Sequence, residues 1–213
     1  MRYITILGGE DRREALSEAA RAVKAGGIVA CPTETYYALC ARYDSEETLK
    51  YLFDLKGRAA DKPFPLIIGS AEALHLVTDE INDTSIRLME KFWPGPLTLL
   101  FRAKKGASFS RFIVSGGKVA VRVPGESFAL SLARLAGMPL TATSANISGM
   151  PPARTAEEAM GYFDARIELL IDEGRPAPGG EPSTIVDTGG GRVEIIREGA
   201  VSSHQILSTY GLR

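Results

Sequence analysis

This chain has little to offer metal or covalent chemistry. Its 213 residues include only two histidines and two cysteines. His75 and His204 lie far apart in sequence, and neither stands beside a cysteine or within H-E-x-x-H, so no zinc site is indicated. No G-x-S-x-G occurs, which argues against a Ser-His-Asp hydrolase built on that elbow. The glycine loops that cradle phosphates, G-x-G-x-x-G and G-x-x-x-x-G-K-[ST], are also missing. Cys31 and Cys40 form neither C-x-x-C nor a disulfide framework and are expected to be reduced, buried thiols. No apolar run approaches the roughly 20 residues of a membrane helix. The N-terminus lacks the apolar length of a signal peptide, so a reducing cytoplasm and no membrane association are expected. The formal net charge is -1 and aromatics make up 8%, which gives no global field for nucleic acid and little stacking surface. Any polyanion site must be a local basic pocket.

The chain does carry the composition of a globular protein, with 45% hydrophobic and 24% charged residues, and the length to bury a large core without disulfides. Short strands are expected at Tyr3 to Leu7 and Ile28 to Cys31, the second stopped by Pro32. Helical spacing runs from Glu10 to Ala25, and Gly26-Gly27 ends it. Ser45 caps a helix that ends near Lys56 with Gly57 as C-cap. Phe64 to Ile68 reads as a strand that Pro65 places at an edge or a bend. Helices are expected at Ser70 to Leu76, Asp83 to Phe92 and Ser127 to Ala136, and a Thr155–Glu158 capping box opens another. Strands are expected at Leu97 to Phe101, Lys118 to Val123, Pro139 to Thr143 and Ile167 to Ile171. Ser183 to Asp187 and Val193 to Arg197 should pair across Gly189-Gly190-Gly191. Arg175 to Pro182, rich in Gly and Pro, reads as mobile or lid-like. Strands interleaved with helices, without a strict βαβ rhythm, indicate an α/β (α+β) sheet protein.

Basic residues are placed where they could converge. Lys56, Arg58 and Lys62 fall within seven residues of a helix-to-strand junction. Lys118 and Arg122 share one face of an alternating strand whose other face is Val119, Val121 and Val123; that charged face either meets solvent or lines a site. Arg102, Lys104, Lys105 and Arg111 surround Gly106 and read as a solvated loop, with a basic groove as the alternative. The hydroxyls and amide of Thr35, Ser144, Asn146 and Ser183 complete a set that suits positioning and electrostatic stabilisation of a phosphate ester. Arg can grip an oxyanion with two parallel bonds, while Lys acts as a point charge.

Several segments together resemble the YrdC family, the threonylcarbamoyl-AMP synthases. They are Pro32-Thr33-Glu34-Thr35-Tyr36, Lys56-Gly57-Arg58, Lys62-Pro63, Trp93-Pro94-Gly95-Pro96-Leu97-Thr98, Val119 to Pro124, Thr143-Ser144-Ala145-Asn146 with Ser148-Gly149, Ser183 to Asp187, and Ile196-Arg197-Glu198-Gly199. They keep the family's order from about residue 12 to 201. The resemblance implies one YrdC-like domain over 1–213, with a twisted, mostly mixed sheet flanked by helices around a basic concave cleft. It implies that ATP with magnesium, bicarbonate and L-threonine become threonylcarbamoyl-AMP and pyrophosphate. Partner enzymes would then transfer the threonylcarbamoyl group to tRNA.

By position in the motifs, Lys56, Arg58 and Lys62 would hold the triphosphate, Lys56 and Arg58 as the catalytic pair. Lys118, Ser144, Asn146 and Arg197 would contact the nucleotide. Thr35, Arg122, Thr143 and Ser183 would surround threonine, with Arg122 on its carboxylate. The metal would ride on the phosphates without protein ligands. The sequence departs from the family at Tyr37-Ala38-Leu39-Cys40, where Tyr-Gly-Leu-Gly is usual, at Ala59, where proline is usual, and at Ile67-Ile68, where some members have histidine. It ends soon after Gly199, so the C-terminal domain of longer members is expected to be absent. Two other readings remain: a related subgroup of unclear activity, whose members tend to lose the Ser-Ala-Asn triplet and Lys-Arg spacing kept here, and an RNA-binding module using the cleft for tRNA or double-stranded RNA.

Overall fold

The structure is a computed structural model that describes residues 1–59 and 62–209. The N-terminal half holds β1 (Arg2–Thr5), α1 (Gly9–Lys24), β2 (Val29–Pro32), β3 (Tyr37–Cys40), α2 (Glu46–Lys56), β4 (Leu66–Ile67) and α3 (Asp83–Phe92). Next come β5 (Leu97–Arg102), β6 (Val114–Ser115), β7 (Lys118–Arg122), α4 (Phe128–Ala136), β8 (Leu140–Thr141) and β9 (Thr143–Ser144). The chain continues through α5 (Ala156–Phe163), β10 (Leu169–Asp172), β11 (Thr184–Asp187), β12 (Glu194–Arg197) and α6 (Ser203–Ser208). Ala71–Leu76, expected as a helix, is a 3₁₀ segment.

The helix boundaries follow local chemistry. Ser45 accepts the Thr48 N–H at the start of α2, and Gly57 ends it in the left-handed region at φ 57°, where glycine has no Cβ penalty. Ser127 and Gly137 bracket α4 in the same way. The Thr155–Glu158 capping box opens α5 with both reciprocal bonds made.

The strands form two mixed sheets. One runs β1-β10-β2-β3-β9, and the other β12-β11-β5-β7-β4-β8 with β6 paired to β7. A face of the first sheet packs Val29, Cys31, Ala38 and Cys40 against Ala19, Phe128 and Leu132 of α1 and α4. Its opposite face puts Ala30, Tyr37 and Leu39 into the main core with Leu99, Val119 and Val121 of the second. Cys31 and Cys40 are free and buried as expected, with sulfurs 3.8 Å apart.

Three expectations are corrected. The segment Pro139 to Thr143 is two strands, not one: β8 closes the second sheet and β9 the first, and Ala142 between them donates to Pro65 O at 3.0 Å. The two sheets therefore meet along this seam. The Pro65 strand is not at an edge, because β4 lies between β7 and β8. Proline is tolerated there because it precedes the first paired residue, so no ladder N–H is lost. Strand β3 follows the Thr-Glu-Thr segment, where the sequence reading places no strand, and it pairs antiparallel with β2.

Candidate active site

Strand alternation decides what faces the seam. On β7, Val119 and Val121 turn into the core, while Lys118, Ala120 and Arg122 line a cleft of about 560 Å³. That volume falls within the roughly 300–1,000 Å³ typical of small-molecule sites. Neighbouring strands add Thr98 and Leu100 from β5, Ile185 from β11, and Ile196 and Arg197 from β12. The first sheet supplies Ala38, Thr143 and Ser144 across the seam. Arg58 and Lys62 close the wall after α2. The face carrying Lys118 and Arg122 thus lines a site rather than bulk solvent.

The β2–β3 connection brings Thr35 and Tyr36 to the mouth. Thr33 Oγ1 accepts from the backbone N–H of Thr35 (3.1 Å) and Tyr36 (3.2 Å) and donates to Tyr36 O at 2.7 Å. Its hydroxyl closes a tight local turn of the kind Ser and Thr favour. The Arg175 to Pro182 segment lies over this turn and is tied down. Gly179 N–H donates to Thr35 O at 2.6 Å, the Tyr36 hydroxyl bonds to Gly180 O, and Ala177 N–H donates to Arg154 O at 2.7 Å. It ends at Pro182 and Ser183 in the cleft wall. The backbone there packs so closely that a Cβ on Gly199 would stand 2.0 Å from Pro182 O.

The cations are held individually. Arg58 donates from Nε to Lys62 O (2.6 Å) and from Nη2 to Pro63 O (3.0 Å), and lies over the Phe64 ring at 5.0 Å. Its Nη1 reaches Thr143 Oγ1 at 3.4 Å. Arg197 donates from Nη2 to Ser183 O at 2.6 Å, and Thr98 Oγ1 donates to Ser183 Oγ at 2.9 Å. Arg122 is paired with Glu34, and Lys118 with Asp187. Burial, then the charge of Arg197, lowers the Arg58 pKa; burial, then the charge of Arg122, lowers that of Arg197. The guanidinium groups therefore repel one another in a cleft whose lining, among the described residues, contains no carboxylate-bearing residue. Burial alone would raise the Asp187 pKa; the Lys118 ammonium and the Gly189 N–H outweigh it and bring it below its ordinary value.

Two expected site residues lie off the cleft wall. Lys56 is 1% exposed, and its ammonium donates to Ser144 O at 2.5 Å and Asn146 O at 2.6 Å. In this arrangement it secures the loop behind the wall and does not face the cleft. Burial, with the Arg58 charge second, pushes its pKa down to about 7, while the carbonyl oxygens favour the protonated form. Asn146 is also buried, with its side-chain amide donating to Ile147 O (2.9 Å) and Met150 O (2.6 Å) and its oxygen accepting from Ser144 Oγ at 2.5 Å. The other expected residues, Thr35, Arg58, Lys62, Lys118, Arg122, Thr143, Ser144, Ser183 and Arg197, all line the cleft. The basic-loop reading is settled toward solvent: Arg102 and Lys105 pair with Glu80, and Lys104 with Asp79.

Sequence reasoning assigned no role to Thr33, Tyr36, Thr98, Glu34 or Asp187. All five lie inside the quoted motifs, so the signal was present but its partners were not. Among the described residues no cluster of His, Cys, Asp or Glu could hold a metal. Among the same residues, no helix is long and apolar enough to cross a membrane.

A family model named Sua5_yciO_yrdC, described as "Telomere recombination", matches residues 21–199. The threonylcarbamoyl-AMP synthase of Pyrococcus abyssi is 38% identical over 194 residues, 91% of this chain and 56% of that protein. That of Bacillus subtilis is 33% identical over 196 residues, 92% of this chain and 56% of that protein. The chain thus spans little more than half the length of these relatives. The structure of P. abyssi Sua5 complexed with L-threonine superposes with a TM-score of 0.85 at 33% identity, covering 99% of this chain and 60% of the other.

Proposed function

The chain belongs to the Sua5/YciO/YrdC family, and from that premise we propose that it is an L-threonylcarbamoyladenylate synthase. Its substrates would be ATP carried with magnesium, bicarbonate and L-threonine. The product would pass, in the cytoplasm, to the enzymes that modify tRNA. The observation that carries this reading is the convergence of Arg58 and Lys62, Lys118 and Arg122, and Arg197, from three segments, on one cleft whose described lining residues include no acid. Such a cleft suits a polyanion beside a second, smaller anion.

In the proposed reaction the threonine amine and bicarbonate form a carbamate and water. A carbamate oxygen attacks the α-phosphorus, and the bond to the bridging oxygen breaks to release pyrophosphate. No protein nucleophile is required. Arg58, Lys62 and Arg197 would neutralise the phosphates, with Lys118 and Ser144 beside them. Lys56 and Asn146 would act through the loop that presents Ser144. Arg122 would take the threonine carboxylate, with Thr35, Thr143 and Ser183 around the rest of the amino acid. Magnesium would be bound by phosphate oxygens and water.

Aligning mutually repelling anions removes an entropic and electrostatic barrier. Each preorganised donor at such a site contributes about 2.7–4 kcal/mol. Leu100, Ala120, Ile185 and Ile196 give the cleft an apolar wall; once substrates cover it and displace water, each charge interaction would strengthen.

The test is pyrophosphate release by purified protein supplied with MgATP, bicarbonate and L-threonine. Release that requires threonine, with threonylcarbamoyl-AMP identified by mass, supports the reading. Threonine-independent hydrolysis refutes it. Tight duplex RNA binding without turnover would favour the RNA-binding alternative.

A further inference from the structure

The cleft cations fall into two electrostatic kinds. Arg122 and Lys118 each carry an acidic partner, whereas Arg58, Lys62 and Arg197 have no acid within ion-pair distance among the described residues. Glu34 is the partner that nothing above explains. It is absent from the cleft lining, while Arg122, 8% exposed, is part of it. Glu34 Oε1 accepts from Arg122 Nη1, and Oε2 is buried with no hydrogen-bond partner. A Cβ on Gly125 would stand 3.1 Å from Glu34 Cγ and 3.3 Å from its Cβ, so the 125 backbone presses the carboxylate into place. A carboxylate with one oxygen buried and unpaired bears a desolvation penalty. Its one hydrogen-bonding partner among the described residues is the guanidinium expected to read the amino acid.

We propose that Glu34 is a specificity-determining positioning residue. From outside the cleft wall it fixes Arg122 and cancels its charge, so that this end of the cleft takes a single carboxylate and rejects phosphate. The inference rests on the synthase reading and deepens it. A carboxylate needs the planar fork of an arginine in the right pose, and paired charge does not remove that geometry. A pyrophosphate group, with several charges, depends on uncompensated field, which the structure concentrates at Arg58, Lys62 and Arg197. Without Glu34, Arg122 would join those groups, and polyphosphate would compete for the threonine end. Specificity here is a repulsive element as well as an attractive one.

The experiment is calorimetric titration of the wild-type chain, Glu34→Gln and Glu34→Asp with L-threonine, with inorganic pyrophosphate, and with threonine in the presence of pyrophosphate. For Glu34→Gln the expected result is at least tenfold weaker threonine binding. Pyrophosphate should bind at least threefold tighter and become competitive with threonine. Glu34→Asp keeps the charge but retracts it, so threonine should weaken while pyrophosphate gains nothing. Misfolding would weaken both ligands together and cannot imitate this opposite movement. Threonine affinity within threefold of wild type in Glu34→Gln, or no gain for pyrophosphate, overturns the inference. A gain for pyrophosphate in Glu34→Asp also overturns it, even if Glu34→Gln does not fold. A wild-type chain that binds no threonine overturns the synthase reading itself; a wild-type chain that binds it and is matched by Glu34→Gln overturns this inference alone.

Discussion

Replacing Arg58 with alanine removes a cation whose pose is already fixed. Nε and Nη2 are committed to Lys62 O and Pro63 O at 2.6 and 3.0 Å, and the guanidinium plane lies over Phe64. The remaining donors point to the side of Thr143, inside the cleft. One charge-assisted bond contributes about 1.5–3 kcal/mol, so two donors on phosphate give roughly 3–6 kcal/mol. At about 1.4 kcal/mol per tenfold, kcat/KM for ATP should fall by roughly two to four orders of magnitude. The fold should survive. The losses are two backbone contacts at about 0.5–1.5 kcal/mol each and a cation–π contact of about 0.5–1 kcal/mol. They are partly offset because burial and the Arg197 charge already oppose the guanidinium. At about 2–4 °C per kcal/mol for a chain of this size, the melting temperature should drop by no more than about 16 °C. Arg58→Lys should restore under a tenth of the activity, because one ammonium cannot keep both carbonyl tethers and still reach phosphate. The assay is threonine-dependent pyrophosphate release with a parallel thermal melt. A kcat/KM within fivefold of wild type for the alanine variant, or full activity for the lysine variant, would refute the assignment.

Other outcomes follow from the same geometry. Lys56→Met should destabilise the chain by about 2–4 kcal/mol near pH 6, because two carbonyl acceptors lose a charged donor, and should weaken ATP binding through the Ser144–Asn146 loop. The wild-type lysine has a folded pKa of about 7, below its unfolded value near 10.4. The unfolded state therefore binds more protons between those limits, and wild-type stability should rise with pH from 7 to about 10. Lys56→Met should flatten that rise; equal slopes in denaturant melts would contradict the account. For Asp187 the sign is opposite. Its folded pKa is lowered, so it stabilises the chain above its unfolded value and loses that contribution as pH falls through the folded one. Asp187→Asn should shallow the acid limb of stability below about pH 4, and an unchanged limb would exclude the Lys118–Asp187 pair as its source.

What the sequence revealed divides by range. Caps and breakers act over a few residues, so Ser45, Gly57, Ser127, Gly137 and the Thr155–Glu158 box marked their helices closely. Alternation at Lys118 to Val123 separated core from cation face, yet left open what that face met. Strand β3 was missed because Tyr37, Ala38, Leu39 and Cys40 are buried on both faces, which erases the period-two signal. The division at Ala142 depends on which sheet each half joins, and no local pattern encodes that. At Lys56, proximity in sequence to Arg58 suggested a shared ligand. The helix end instead turns its ammonium under the Ser144–Asn146 loop. Glu34 and Asp187 became legible only once their cationic partners, far away in sequence, were in place.

The most direct test is the structure of the chain crystallised with MgATP and L-threonine. The account predicts the triphosphate against Arg58, Lys62 and Arg197, with the threonine carboxylate on Arg122 and no protein carboxylate on the metal. A nucleotide bound in the adjoining cavity on the Asp79 and Gly190 side of Lys118, or on the outer surface, with the cleft empty, would contradict it.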